Sequence, residues 1–271
     1  MNQLITTGMA KSSIESEVLD TGVKAIPDFM RDTTDRNRTS PFAFTGNKFE
    51  FRMVGSRDSI APANVVLNTI VAEAFQEACD VLEQADNFEI AVHDLMKKNF
   101  TEHQRIVFNG NGYSKEWVKM AEERGLPNLS CMVETIETLT TDKAVKLFET
   151  FGVFTEAELE ARKEIKYETY SKAINIEART MIDMAGKQIV PAVIRYTRQL
   201  ADAINAIVAA GVLDVDVQSE LLREASGLLK ETQEALNHLR QVTVQAAEME
   251  DGKDKAFFYR RQVIPAMEAL R

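Results

Sequence analysis

The fold is indicated above all by the stretch DRNRTSPFAFTGNKFEFRMVGS, from Asp35 to Ser56. Its segment KFEFRM, from Lys48 to Met53, alternates charged with apolar residues. Successive side chains of a strand point to opposite faces, so this pattern predicts one strand with an aromatic face and a charged face. FAFT, from Phe42 to Thr45, predicts a shorter strand that pairs with it across a Gly46-Asn47 turn. The stretch therefore predicts a β-hairpin whose aromatic face serves a core.

The charge of this region differs from that of the whole chain. Residues 31–58 contain six Lys or Arg and four Asp or Glu, a net charge of +2, whereas the 271-residue chain has a formal net charge of -10. The acidic chain argues against a general binder of nucleic acids or anionic membranes, which would carry a basic stripe. The local excess of cations instead favours a small anionic ligand.

Composition places the chain among ordered globular proteins, since its 45% hydrophobic share is enough for a sizeable core. Cys79 and Cys131 stand far apart without a Cys-x-x-Cys spacing, which predicts two reduced thiols. The first residues show no basic region followed by an apolar run, and no window reaches the roughly 18 apolar residues of a membrane span. We therefore expect a cytoplasmic protein with no signal peptide and neither a membrane nor a nucleic-acid partner.

From Val65 onward the apolar residues follow the three- and four-residue steps of helices. In residues 189–246 steps of three and four residues alternate, which gives a seven-residue repeat. A repeat that continues over this length predicts antiparallel helices packed as in a bundle. Gly186 and Pro191 predict a kink or a boundary near the start of this run. The repeat is carried first by Ile189, Val193, Tyr196, Leu200, Ala203 and Ile207, and then by Leu221, Ala225, Leu228, Thr232, Ala235, Leu239, Val242 and Ala246.

These patterns divide the chain into two unequal parts. The strand signal is confined to residues 1–64, the rest is helical, and the bundle itself is expected to begin near Asn87. The predicted fold class is therefore mainly α, a C-terminal helical bundle preceded by a short β segment. One hairpin is not a stable sheet, because three or more strands are normally needed. We infer that the chain is the C-terminal portion of a larger protein, or that it borrows strands from a partner.

The charged face of the strand is the main candidate for chemistry. Lys48, Glu50 and Arg52 would lie about 7 Å apart along one face, from the rise per residue of a strand. This spacing is too wide for tight ion pairs, and it suits a carboxylate that holds Mg²⁺ or Mn²⁺ between phosphate-binding cations. A solvated face of alternating charge is the competing interpretation, and the nearby Arg36 and Arg38 favour a binding site.

Other motifs indicate scaffold. GNGYSK, from Gly110 to Lys115, lacks the phosphate-loop spacing and predicts a loop with Ser114 as the N-cap of a helix that ends at Gly125. The histidines lack the Glu-x-x-His spacing of di-iron bundles, and the helical tyrosines are expected to be core or rim aromatics. These residues are His93, His103 and His238, and Tyr167, Tyr170 and Tyr196.

The run NRTSPFAFTGNKFEFR, from Asn37 to Arg52, resembles the glutamine synthetases and specifically their large type III branch. The resemblance continues through SIAPAN at residues 59–64, through FNGNGYS at residues 108–114 with Trp117, and through VIPAME at residues 263–268. It covers nearly the whole chain and is weakest over residues 1–20.

The resemblance implies an enzyme that uses ATP to phosphorylate L-glutamate and then lets ammonia displace the phosphate. It implies that Glu50 is a ligand of the Mg²⁺ or Mn²⁺ that bridges the ATP phosphates. It further implies that Arg38 is catalytic, contacting the transferring phosphate and the substrate. By the same resemblance, Arg52 binds glutamate or the acyl-phosphate oxygens, and Lys48 lies near the nucleotide. Such enzymes form homo-oligomeric rings.

The resemblance also implies two domains. Residues 1–86 would be the C-terminal end of the catalytic domain, an incomplete α+β barrel, and residues 87–271 a helical C-terminal domain. The family's other metal-binding acids and most barrel strands lie upstream, so we expect the isolated chain to be inactive. The alternative is a non-catalytic helical bundle, residues 65–271, that serves as an oligomerisation or interaction module.

Overall fold

A computed structural model describes residues 59–108, 114–212 and 214–271, together with the backbone of four short strands. The strands are β1 Val18–Leu19, β2 Phe29–Met30, β3 Phe42–Phe44 and β4 Phe49–Phe51. β1 pairs antiparallel with β2, and β3 pairs antiparallel with β4 in a separate two-stranded sheet. The barrel to which the sequence assigns this region stays a prediction.

The rest of the described chain is helical, which confirms the predicted mainly α class. None of the described helices is both long and apolar enough to cross a membrane. The α-helices are α1 Ala61–Leu82, α2 Phe88–Glu102, α3 Lys115–Glu123, α4 Met132–Ile136, α5 Asp142–Thr150, α6 Glu156–Met184, α7 Val190–Ala209, α8 Asp216–Glu248, α9 Lys253–Phe258 and α10 Ile264–Leu270. Two 3₁₀ turns, Gln104–Ile106 and Glu137–Thr140, and two π-turns, Ala185–Ile189 and Tyr259–Val263, lie between them.

The chain forms two compact units, Met1–Asn128 and Leu129–Arg271. The domain boundary predicted between residues 86 and 87 is a different division, based on sequence pattern, and it stays a prediction. Each unit is described by itself below.

In the first unit, side-chain caps fix where α2 and α3 begin. Asn87 accepts a hydrogen bond from the amide of Ile90 at 3.1 Å, and Ser114 accepts one from the amide of Trp117 at 3.1 Å. Such caps satisfy amides that have no partner within the first helical turn. Gly125, directly after the last turn of α3, has a φ of 68°. The predicted N-cap and C-terminal stop of α3 are therefore confirmed.

In the second unit, α6, α8 and α10 enclose the main core together with the second π-turn. α6 begins with a reciprocal capping box between Thr155 and Glu158. Fully burying each large apolar side chain contributes about 1.5–3 kcal/mol, so this cluster is the main source of stability in the unit. Its buried members are Ala178, Leu239, Val242, Ala246, Tyr259, Val263 and Ala266.

The kink or boundary predicted near Gly186 and Pro191 is a π-turn through which the helix continues from α6 into α7. The amide of Val190 donates to the carbonyl of Ala185, five residues earlier, and Pro191 has no amide to donate. The second π-turn precedes Pro265 in the same way, with the Ile264 amide bonded to the Tyr259 carbonyl. Both turns share the sequence Gln-apolar-apolar-Pro-Ala, at residues 188–192 and 262–266.

α7 and α8 pack along each other after the short connection at residues 210–215. This packing buries only some of the apolar positions of the predicted seven-residue repeat. On α7, Val193, Leu200 and Ile207 are half-buried, whereas Ile189 in the π-turn, Tyr196 and Ala203 are exposed. The packing of α8 therefore covers only one of the two apolar positions in each repeat of α7.

Candidate functional site

The residues that the sequence nominates for chemistry lie outside the described residues. Arg38, Lys48 and Arg52 fall wholly outside them, and for Glu50 only the backbone is described. That backbone lies in β4, where Glu50 pairs in register with Ala43 of β3. The roles assigned to these four residues therefore stay predictions.

Within residues 59–108, 114–212 and 214–271, no group of three or more His, Cys, Asp or Glu side chains could hold a metal ion. The described residues do contain a cluster of polar side chains around a buried tyrosine, in the second unit. Its centre is Tyr167, whose side chain is fully buried on α6. The Tyr167 hydroxyl donates a hydrogen bond to Oε1 of Glu137 in the second 3₁₀ turn.

The same carboxylate is held from a third segment. Nζ of Lys253, at the start of α9, lies 3.1 Å from Oε1 of Glu137. A second lysine holds the same 3₁₀ turn, because Nζ of Lys163 donates to Oγ1 of Thr140 at 3.1 Å. The cluster therefore ties the turn to α6 and α9.

The electrostatics of this cluster indicate a fixed hydrogen bond rather than proton transfer. The hydrogen bond from Tyr167 lowers the pKa of Glu137, with Lys253 adding to the effect against the opposing effect of burial. Burial raises the pKa of Tyr167, and the bond to Glu137 raises it further. Near neutral pH the phenol is therefore a neutral donor and the carboxylate a charged acceptor. Neither group is poised to exchange a proton, so the cluster is a structural brace.

A second polar contact lies beside it. Cys131, at the N-cap position of α4, accepts a hydrogen bond that raises the pKa of the Arg260 guanidinium. Burial raises the pKa of Tyr170, which packs with Cys131 against a small apolar cluster around Val133. Sequence reasoning had interpreted these tyrosines as core or rim aromatics and missed their polar partners. Glu137 lies 30 positions from Tyr167, so no local pattern could reveal it.

The described surface of the second unit also has an apolar cavity of about 610 Å³. Its walls come from α6, the first π-turn, α8 and the end of α10, and Ile189 and Thr232 are among the residues that line it. The charged groups that line it are Glu177 and Arg271. Apolar walls with few polar groups suit packing or the binding of an apolar partner, not the stabilisation of phosphoryl charge.

Comparison with protein families gives one match. Residues 91–208 match the family model described as the glutamine synthetase C-terminal domain. These residues run from α2 to the end of α7 and include the braced turn at Glu137.

Three curated relatives extend the similarity over most of the chain. A type-3 glutamine synthetase of Dictyostelium discoideum is 35% identical over 264 residues, which is 94% of this chain and 36% of the relative. A glutamine synthetase of Bacteroides fragilis (strain YCH46) is 33% identical over 95% of this chain and 36% of the relative. One of Butyrivibrio fibrisolvens is 35% identical over 90% of this chain and 35% of the relative. The chain spans about a third of the length of these relatives.

Proposed function

We propose that this chain belongs to the glutamine synthetase family, whose C-terminal domain model it matches at residues 91–208, and that it is the C-terminal portion of a type III glutamine synthetase. The complete enzyme would join ammonia to L-glutamate through a γ-glutamyl phosphate, at the expense of ATP. The single observation that carries the proposal is the similarity at 33–35% identity over 90–95% of the chain. The family-model match at residues 91–208 supports it independently.

For the site, we propose that the charged residues around β4 form one wall. Glu50 would hold Mg²⁺ or Mn²⁺ against the ATP phosphates, and Lys48 would lie beside the nucleotide. Arg38 would stabilise the transferring phosphoryl group, and Arg52 would bind glutamate. The residue types fit this chemistry, because phosphoryl transfer depends mainly on positioning and on neutralising charge with metal and cations. One carboxylate is too few to hold the metal alone, so we propose that the isolated chain is inactive.

For the architecture, we propose that β3 and β4 belong to the catalytic barrel of the complete enzyme and that a helical C-terminal domain follows from about residue 87. The start of the family-model match at residue 91 supports this division. A homo-oligomeric ring and a cytoplasmic location remain parts of the same proposal.

The proposal is tested by a hybrid enzyme in which this chain replaces the matching C-terminal part of the Bacteroides fragilis relative. We expect the hybrid to form glutamine from glutamate, ammonia and ATP with Mg²⁺, and Glu50→Gln to lower kcat at least about 100-fold through loss of a metal ligand. Ser56→Ala, in the same region but without a proposed role, is the control. Equal activity of the Glu50→Gln and wild-type hybrids would contradict the assigned site.

The isolated chain gives the complementary measurement. We expect no glutamine formation above background from the purified chain with the same substrates. Turnover near the roughly 10 s⁻¹ that is typical of enzymes would show that the chain holds a complete site and would overturn the proposed incompleteness.

A second candidate is a non-catalytic helical interaction module, which the compactness of residues 129–271 favours. Limited proteolysis distinguishes the two. Rapid loss of the first roughly 60 residues, whatever ligand is added, would favour the module. Protection around Glu50 that depends on Mg²⁺ and ATP would favour the ligase.

A further inference from the structure

α7 and the first half of α8 extend from the core of the second unit as a two-helix arm. Val190 and Leu236 are buried at its base. Between these two residues no described residue is buried. The arm, residues 191–235, therefore has contacts mainly between its own two helices. By the helical rise it is about 28 Å long.

One flank of this arm is apolar and uncovered. On α7 it continues from the π-turn at seven-residue steps through Ile189, Tyr196 and Ala203, of which Ile189 is 53% and Tyr196 45% exposed. On α8, Leu221 and Leu228 lie one seven-residue step apart on the same flank, and they are 40% and 56% exposed. We call these five residues the exposed flank.

The cavity at the base shows that both helices contribute to the same flank. Ile189 starts the α7 series, and Thr232 lies one helical turn after Leu228 on α8. Both residues line the apolar cavity of about 610 Å³, so the two series meet there. The exposed flank therefore runs without interruption into an apolar cavity.

A heptad repeat with both of its apolar positions filled is the pattern of a bundle in which each helix has two neighbours. In the arm, each helix has one neighbour, and half of the repeat has no cover among the described residues. The missing layer must present the same heptad spacing over the same length. A second copy of the arm does so, and stacking two identical layers about a twofold axis gives a closed assembly.

Charge along the arm selects the orientation of the second copy. Residues 191–200 and 225–235, near the base, contain three Lys or Arg and two Asp or Glu, a net charge of +1. Residues 201–224, toward the tip, contain one Arg and five Asp or Glu, a net charge of -4. Stacking the arms tip to tip would oppose two acidic ends. Antiparallel stacking places each acidic tip beside a basic base, which is electrostatically complementary.

We propose that the exposed flank is a homodimer interface, on which the arm of a second copy stacks antiparallel to complete a four-helix bundle. A face about 28 Å long and two helices wide buries on the order of 1,000 Å² in total, near the lower limit for a specific interface. The dimer is therefore of moderate affinity. The contact uses no residue of the proposed ligase site, so its failure would leave the proposed ligase activity and its site residues unchanged.

Sedimentation equilibrium of the full chain over roughly 1–200 µM, a range suited to a small interface, tests the proposal. We expect a species of twice the 30.4 kDa chain mass. Leu221→Glu with Leu228→Glu places two charges on the exposed flank and should raise the dimer Kd at least about 100-fold. The control is Ile194→Glu with Val208→Glu, which are 51% and 44% exposed on the opposite flank. This matched pair of charges should change Kd less than about threefold.

Charge exchange tests the antiparallel orientation. Arg195→Glu with Arg198→Glu makes the base acidic, and Glu220→Arg with Glu224→Arg brings the tip from a net charge of -4 to 0. Each variant should dimerise about tenfold more weakly, and an equal mixture should form heterodimers more tightly than the base variant alone, because each acidic end then meets a neutral or a basic end. Lys143→Glu with Lys146→Glu, exposed on α5, changes the net charge equally and is the control.

Three results would overturn the proposal. They are a wild-type chain that stays monomeric throughout, a dimer that survives the charges on the exposed flank, and equal weakening by changes on either flank. Circular dichroism of every variant verifies folding. If Leu221→Glu with Leu228→Glu unfolds the arm, the charge-exchange variants test the dimer instead. Their residues lie on the exposed surface of the helices, so these changes should leave the fold intact.

Discussion

The two halves of α8 carry the same heptad repeat and end in opposite environments. In the C-terminal half, Val242, which occupies the same seven-residue position as Leu221 and Leu228, is buried under α6, α10 and the second π-turn. In the N-terminal half, Leu221 and Leu228 are 40% and 56% exposed. A repeat specifies an apolar seam, but burial requires a neighbouring layer, and the described chain supplies that layer at only one end.

The largest expected effect is the loss of a buried leucine from the covered half. Leu239→Ala should lower the free energy of unfolding by about 2–5 kcal/mol, because it removes transfer energy and leaves a cavity. In the monomer, Leu221→Ala, the same change in the uncovered half, should cost less than about 1 kcal/mol, since its side chain is already partly solvated. Urea unfolding measures both. Equal losses would show that the arm is buried in solution.

The next prediction compares the loss of the hydrogen bond between Tyr167 and Glu137 with the loss of a tyrosine hydroxyl on the exposed flank of the arm. Tyr167→Phe removes the donor to Glu137 and should cost about 1–3 kcal/mol, because a partly buried carboxylate loses its partner. Tyr196→Phe, on the exposed flank, is the matched control and should stay within about 0.5 kcal/mol of wild type. Thermal unfolding followed by circular dichroism distinguishes them. A neutral Tyr167→Phe would mean that the brace contributes nothing to stability.

A smaller effect concerns how the long helices begin. Thr155 caps α6 by accepting a hydrogen bond from the Glu158 amide at 3.3 Å, whereas Val215 gives α8 no side-chain cap. Thr155→Ala should cost about 1 kcal/mol. In the monomer, at wild-type chain concentrations well below the dimer Kd, hydrogen exchange should be faster in the first turn of α8 than in the first turn of α6. Similar protection at both sites would indicate that a partner covers the tip of the arm.

The smallest effect is the pH dependence of the brace. The pKa of Glu137 is lowered in the folded chain, so its contribution to stability is present above the ordinary carboxylate value and is lost as the pH falls through the lowered folded pKa. The Tm difference between wild type and Glu137→Gln should therefore shrink from about pH 7 to about pH 3. A difference that stays constant with pH would argue against an ionised brace.

Sequence patterns predicted the helical class, the cap at Ser114 and the stop at Gly125, because each depends on neighbouring residues. They did not predict the contact of Tyr167 with Glu137, whose partners are 30 positions apart. They also left open whether Gly186 and Pro191 mark a boundary or a kink, since the π-turn depends on packing against α8 as well as on the missing proline amide. The nominated site at Arg38, Lys48, Glu50 and Arg52 rests on pattern and resemblance.

The sequence by itself determined the resemblance to the glutamine synthetases and the repeat of apolar residues, since both depend on the order of the side chains. The tertiary structure alone decided which parts of that repeat are covered. Leu239 and Leu221 are both apolar residues of the repeat on α8. α6 and α10, which come from distant positions in the sequence, cover Leu239 and do not cover Leu221, so the first is a core residue and the second is exposed. Burial is a property of neighbours brought together by folding, so a one-dimensional pattern cannot specify it.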